Sequence, residues 1–344
     1  MKGFAFQPRK LASLSAALLA IGASAGFASS ALAAGTLNGA GSTLVAPLEA
    51  EWASAYDSKT GNTVNYNAVG SGTGIADISA GTVDFGASDA PLSPTQAAGC
   101  HNCIQIPWAL SATGVGYNVP GAGHKLKLTG PVLAGIYLGQ ITNWDAPQIS
   151  RLNKGVHLPN LKITPVFRTD GSGDTYAFTN YLSHISSTWK SKVGLGTSVS
   201  FPTGVGGKGN SGVTAVLQGT SGAIAYIAVS YLIAHQLPAV AVQNAAGKYE
   251  YPNLSNIENA AATVHHVPSS NALSIVDPPK SAKIAYPIST FTYVIAPTTA
   301  PQGALLKSFI QYALGSGHSF GENLDFAPLP KVVVNADKAS ANRL

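Results

Sequence analysis

Three short stretches of the chain place glycine and a small hydroxyl directly before a segment with helical spacing: Gly39-Ala40-Gly41-Ser42-Thr43, Gly70-Ser71-Gly72-Thr73-Gly74 and Arg168-Thr169-Asp170-Gly171-Ser172-Gly173-Asp174. The first N–H groups of a helix have no partner inside it, and the macrodipole makes that end positive. Such an end suits an anion, and three in one chain predict convergence on a single anion. Thr43, Ser71 and Ser172 are the candidate hydroxyl donors; the N–H groups of Leu44, Gly173 and Asp174 are the candidate backbone donors. Arg168 offers a planar pair of donors to an oxyanion, and Asp170 can hold its guanidinium in place. Asp89, in Ala87-Ser88-Asp89-Ala90-Pro91, decides which anion. A carboxylate beside a bound anion repels it unless the anion has a proton to donate. Phosphate near neutral pH has one and ionised sulfate does not, so Asp89 predicts phosphate and discrimination against sulfate. Taken singly, Ser71 and Ser172 read first as N-caps, Thr43 as a turn residue and Asp89 as a partner of a nearby N–H. The joint pattern reverses that order.

Other motifs lack the residues their chemistry needs. Gly204-Val205-Gly206-Gly207-Lys208-Gly209 fits a dinucleotide loop by letter, yet no Asp or Glu occurs from 175 to 249 to hold a ribose. It fails as a triphosphate loop because Gly209 follows Lys208 where Ser or Thr would bind magnesium. Gly317-His318-Ser319-Phe320-Gly321 fits a nucleophile elbow, but a helical segment precedes it and no His follows His318; it reads as a helix-ending loop. His265-His266 has no metal-ligand partner at useful spacing and reads as a solvated loop. Cys100-His101-Asn102-Cys103 could be a redox pair or, with His101, part of a metal site. A zinc site lacks a visible fourth ligand. In an exported chain, a small structural disulfide between Cys100 and Cys103 is the expected reading. No metal and no cofactor are expected.

Residues 1–33 read as a signal peptide: Lys2, Arg9 and Lys10, then an apolar stretch, then Ala31-Leu32-Ala33 as a small-x-small cleavage site, with cleavage expected near Ala33/Ala34. Removing its three positive charges lowers the formal net charge from +5 to +2, so no basic surface for nucleic acid is supported. The elements that must position the anion site alternate in type, which predicts an α/β fold. Helices are expected over residues 47–56, 75–80, 132–138, 145–152, 174–185, 213–218 and 305–314. Strands are expected over 63–69, 83–87, 113–119, 162–167, 223–228 and 288–296, with Ile104–Pro107 also strand-like. Residues 249–276 are poorly patterned.

At these residues the chain resembles the periplasmic phosphate-binding proteins that serve bacterial phosphate ABC transporters. The carrying segments are Gly39-Ala-Gly-Ser-Thr, Val69-Gly-Ser-Gly-Thr-Gly, Thr82-Val-Asp-Phe-Gly-Ala-Ser-Asp-Ala-Pro-Leu, Gly135-Ile-Tyr-Leu-Gly-Gln-Ile-Thr-Asn-Trp, Arg168-Thr-Asp-Gly-Ser-Gly and Gly206-Gly-Lys-Gly-Asn. The resemblance implies phosphate contacts at Thr43, Leu44, Ser71, Asp89, Arg168, Ser172, Gly173 and Asp174, with Asp170 pairing Arg168. It implies a type II periplasmic-binding-protein fold: two α/β lobes with mixed sheets, flanking helices and a ligand cleft between them. Lobe I would comprise residues 34–116 and 290–344, and lobe II residues 117–289. It also implies a periplasmic protein, monomeric when free, with no catalytic activity, that passes inorganic phosphate to membrane permease subunits and binds no nucleic acid. Two positions depart from the family pattern. Leu44 stands where Phe is common, which matters little if only its N–H is used. Asp174 stands where a Thr hydroxyl often donates; a second carboxylate there must turn away in the first helical turn or accept a ligand proton itself. The competing readings are a secreted phosphatase with Ser71 or Ser172 as nucleophile, for which no general base is evident, and a binder of sulfate, molybdate or a phosphonate.

Overall fold

The computed structural model describes residues 34–344 except His101 and Lys125. The signal peptide expected over 1–33 and the His101 ligand reading lie outside the described residues. In chain order the strands are β1 (Thr36–Gly41), β2 (Thr63–Asn67), β3 (Phe85–Ser88), β4 (Cys103–Tyr117), β5 (Lys127–Leu128), β6 (Thr164–Arg168), β7 (Val205–Gly207), β8 (Ala223–Ala228), β9 (Ala241–Gln243), β10 (Tyr249–Glu250) and β11 (Ser289–Pro297). The helices are α1 (Ala46–Thr60), α2 (Ser71–Ser79), α3 (Pro94–Gly99), α4 (Gly130–Tyr137), α5 (Pro147–Ser150), α6 (Gly173–Ile185), α7 (Ser187–Lys192), α8 (Gly209–Gly219), α9 (Val229–Ala234), α10 (Leu254–Ala261), α11 (Gly303–Ala313) and α12 (Lys331–Ala341).

Eight strands form one mixed sheet in the order β2-β1-β3-β11-β4-β8-β6-β7, and β10-β9-β5 form a small second sheet. The long central strand organises the first. Residues Cys103–Ala112 of β4 pair antiparallel with β11, and Thr113–Tyr117 pair antiparallel with β8. Apart from Cys103, β4 is buried throughout, as expected of a run of mostly apolar and small residues; Gln105, the long polar one, has its amide bonded to the Leu92 N–H and the Ser270 carbonyl. The sequence reading has 104–107 and 113–119 as separate strand segments; they are one strand here, although Pro107 cannot donate to a ladder. The sheet accommodates it with a register shift between Thr292 and Tyr293 on β11, so the strand runs through.

Strand direction places the site. β1, β2 and β3 are parallel to one another, as are β6, β7 and β8. β3 is antiparallel to β11, which is antiparallel to β4, which is antiparallel to β8. The two parallel groups therefore run in opposite directions, and their C-terminal ends meet where β4 changes partner, between Ala112 and Thr113. Ligands of open α/β sheets bind outside the carboxyl ends of the strands.

Each half has its own aromatic core. Trp108 packs against Trp52, Phe85 and Phe309 in the first half; Phe178 lies between Tyr137 and Tyr226 in the second. Several regions differ from the sequence reading: β1, α3, α7, α9 and α12 were not expected, and the helix expected over 145–152 is confined to Pro147–Ser150. Residues 249–276 contain β10 and α10, the latter capped by the Asn253 side chain accepting from the Asn256 N–H. Residues 317–321 lie within a 3-10 helix, Ser316–Leu324, rather than a loop. The helix expected over 213–218 begins earlier, at Gly209. Cys100 and Cys103 are joined by a disulfide at the end of α3. Among the described residues no helix is long and apolar enough to cross a membrane.

Candidate anion-binding site

The loops that follow the converging strand ends bring the predicted residues together. Ser42 and Thr43 follow β1, Ser71 opens α2 after β2, and Asp89 follows β3. From the opposite side, Arg168 ends β6, Ser172 caps α6, Gly173 and Asp174 begin it, and Asn210 opens α8 after β7. Thr43, Ser71, Asp89, Arg168, Ser172, Asp174 and Asn210 are all buried.

Asp89 is held by hydroxyls. Ser42 Oγ donates to its carboxylate at 2.6 and 2.7 Å to the two oxygens, and Thr292 Oγ1 donates to Oδ1 at 2.8 Å. Burial is the main force raising its pKa, to about 7, and the nearby Asp174 charge adds to it; Ser42, Thr292 and Arg168 oppose the rise. Ser71 Oγ accepts from the Asp89 N–H at 3.2 Å and, across the strand groups, from the Gly173 N–H at 3.1 Å. A Cβ on Gly173 would lie 2.4 Å from Asp89 Cβ, so only glycine permits this approach.

Arg168 is gripped from two sides. Its Nε donates to Asp170 Oδ1 at 2.8 Å, its Nη2 to Asp170 Oδ2, and its Nη1 to Asp174 Oδ2 at 3.1 Å. Burial works against the guanidinium charge, but the two carboxylates outweigh it and hold its pKa above the ordinary value. Asp170 is also pulled up by burial, yet its bonds to Arg168 and the Gly209 N–H bring it below the usual carboxylate range. The expected Asp170–Arg168 pairing is present in this geometry.

Asp174 does not turn away to solvent. Its Oδ2 accepts from Arg168 and from Asn210 Nδ2 at 2.8 Å, and its Oδ1 accepts from Thr113 Oγ1 at 2.8 Å. Burial raises its pKa against the opposing pull of those three donors. Leu44 lies in the same loop as Thr43, with its N–H directed to Ser42 Oγ at 3.0 Å. Ser172 Oγ accepts from the Thr175 N–H at 3.3 Å, an N-cap bond, while its neighbour Gly173 faces Asp89. A cavity of about 370 Å³ opens beside the cluster and is lined by Thr43, Asp170, Lys208 and Tyr231 among others. Among the described residues no group of three or more His, Cys, Asp or Glu could hold a metal ion.

Residues 27–316 match the family model described as a PBP superfamily domain. The chain is 38% identical over 312 residues to the phosphate-binding protein PstS of Xylella fastidiosa, covering 88% of this chain and 84% of that one. It is likewise 38% identical to PstS of Pasteurella multocida, over 88% of this chain and 89% of the relative. The chain belongs to the PstS family of phosphate-binding proteins. Among solved structures, it resembles a high-affinity periplasmic phosphate-binding protein (PfluDING) bound with phosphate, with a TM-score of 0.73, 23% identity and coverage of 89% and 93% of the two chains. The fold is thus the two-lobed one of this family.

In this PstS-family chain the cluster also uses side chains that the sequence reading left out. Ser42, Thr113, Asn210 and Thr292 hold the two central carboxylates and Thr43. Ser42 and Asn210 stand inside segments that carried the resemblance, so position within a motif was the available signal. Thr113 and Thr292 sit in strands and carry no local mark; only the pairing of β4 with β8 and of β11 with β3 brings them to the site.

Proposed function

We propose that this chain captures inorganic phosphate between its lobes and delivers it to the membrane permease subunits of a phosphate ABC transporter. The contacts are Thr43, Leu44, Ser71, Asp89, Arg168, Ser172, Gly173 and Asp174, with Asp170 bracing Arg168. The observation that carries this reading is Asp89: a buried carboxylate held by neutral hydroxyls, facing a group of oxyanion donors. Such a group accepts a proton from the ligand, which phosphate can donate and sulfate cannot. The PstS relatives and the phosphate-bound structural neighbour support the same ligand. The lobes are residues 34–116 with 290–344, and residues 117–289, and the change of strand partners within β4 supports a chain crossing there. The protein acts in the periplasm as a monomer after cleavage near Ala33/Ala34. The relatives are binding proteins rather than enzymes, and no feature of the cluster favours ester hydrolysis.

The test is a competition titration with phosphate, arsenate and sulfate on the protein and on Asp89→Asn. Phosphate should bind tightly with sulfate failing to compete, and Asp89→Asn should weaken phosphate by about tenfold or more while narrowing the discrimination. Equal affinity for phosphate and sulfate would sink the reading.

A further inference from the structure

We propose that Asn210 is the positioning residue that aims the Thr43 hydroxyl at bound phosphate and ties the two lobes together around it; this rests on the phosphate reading above. Asn210 is wholly buried at the start of α8. The Ala228 N–H donates to its Oδ1 at 2.9 Å, which settles the orientation of the amide. The Nδ2 end, with two protons, therefore faces two acceptors: Thr43 Oγ1 at 2.9 Å and Asp174 Oδ2 at 2.8 Å.

The consequence for Thr43 follows from counting. A hydroxyl has one proton and two acceptor lone pairs. Asn210 Nδ2 occupies one lone pair, and the Asn210 N–H, at 3.4 Å from Oγ1, faces the other. The remaining proton cannot point at Asn210, and Thr43 lines the cavity beside Asp170 and Tyr231. Asn210 thus converts a group able to donate or accept into a fixed donor, oriented before an anion arrives.

The same amide serves Asp174. With Asn210, Arg168 and Thr113 supplying donors to both carboxylate oxygens, Asp174 needs no proton from the ligand and leaves that role to Asp89. Thr43 follows β1 in lobe I and Asn210 follows β7 in lobe II, so their bond exists only with the lobes together. It therefore favours retention of the ligand over its initial capture.

The experiment is a double-mutant cycle read by calorimetric titration with inorganic phosphate, using Thr43→Val, Asn210→Asp, Asn210→Ala and the two double variants. Asn210→Asp keeps the shape and the acceptor for the Ala228 N–H but presents Thr43 with an acceptor; Asn210→Ala removes the side-chain donors without adding charge. Thr43→Val should lower affinity about tenfold or more in the natural chain and less than about threefold in either Asn210 background. Stopped-flow measurement should place the loss from Asn210→Ala in the dissociation rate. An equal Thr43→Val loss in every background overturns the proposal, as does no loss in the natural chain. Failure of both Asn210 variants to fold assigns the residue to the scaffold and also overturns it. Failure of the natural chain to bind phosphate refutes the phosphate reading instead.

Discussion

Asp89 and Asp174 are the same residue type, both buried in one cluster, yet their partners give them different work. Asp89 is met by the hydroxyls of Ser42 and Thr292, whereas Asp174 is met by a guanidinium, an amide and a hydroxyl. A charged donor stabilises a carboxylate far better than a neutral hydroxyl does, which is why the proton-accepting role is proposed for Asp89. A third buried carboxyl has no such partners. Asp337 on α12 is fully buried, neither of its oxygens has a hydrogen-bond partner among the described residues, and burial pushes its pKa up to about 9. The folded protein then holds a proton that the unfolded chain releases at ordinary carboxylate pH. Stability contributed by that proton is fully present below the unfolded value and falls as pH rises toward 9. Asp337→Asn, which cannot ionise, should raise stability at pH 8 by about 1 kcal/mol or more, with the gain shrinking toward pH 5. Urea melts at the two pH values check this; a gain independent of pH would remove the titration of Asp337 as its cause.

At the scale of elements, helix starts do two jobs, donating N–H groups and letting two loops approach. The Gly72 N–H donates to the Gly171 carbonyl at 2.9 Å, and a Cβ on Gly72 would lie 3.0 Å from Gly171 Cα. Gly70, with φ at +96°, turns the chain into α2 directly against Asp170. A branched side chain at Gly72 must push α2 away from the loop before α6. Gly72→Val should therefore weaken phosphate binding by about tenfold or more, from an overpacking cost of about 1–3 kcal/mol. Its melting temperature without phosphate should change little, since the contact belongs to the cleft rather than to either aromatic core. Titration and melting of the same preparation test this, and unchanged affinity would show that the loops need not approach so closely.

At the scale of the molecule, a single strand, β4, belongs to both halves of the sheet, and the chain returns through β11 beside it. With the lobe boundaries proposed above, these two neighbouring crossings would act as the hinge, and residues 270–273 of the second lobe bond across to Gln105, Ser340 and Tyr293 of the first. On the proposed reading, phosphate engages donors from both halves and so binds the closed arrangement better than the open one. Small-angle scattering should show the radius of gyration falling when phosphate is added to ligand-depleted protein. Superimposable profiles would rule out hinge closure as the mode of capture.

The sequence by itself determined the local chemistry: Gly-Ser and Gly-Thr runs before helices, Arg168 two residues from Asp170, and Asp89 after a short buried strand. These follow from near-neighbour rules of capping, turn geometry and apolar spacing, which act over a few residues. The α/β class was legible for the same reason, as were most strands and helices. Only the tertiary structure decided what meets what. The opposed directions of β1–β3 and β6–β8 bring residues 42, 89, 174, 210 and 292 into one cluster, and the register of β11 against β3 carries Thr292 to Asp89. Asp174 illustrates the boundary. Its first-turn position was readable, but whether it faced solvent, ligand or Arg168 depended on donors from Thr113 and Asn210, 61 and 36 residues away along the chain. Hydrogen bonds formed over such separations leave no periodic trace in the sequence, because long-range sheet pairing rather than local backbone preference sets them.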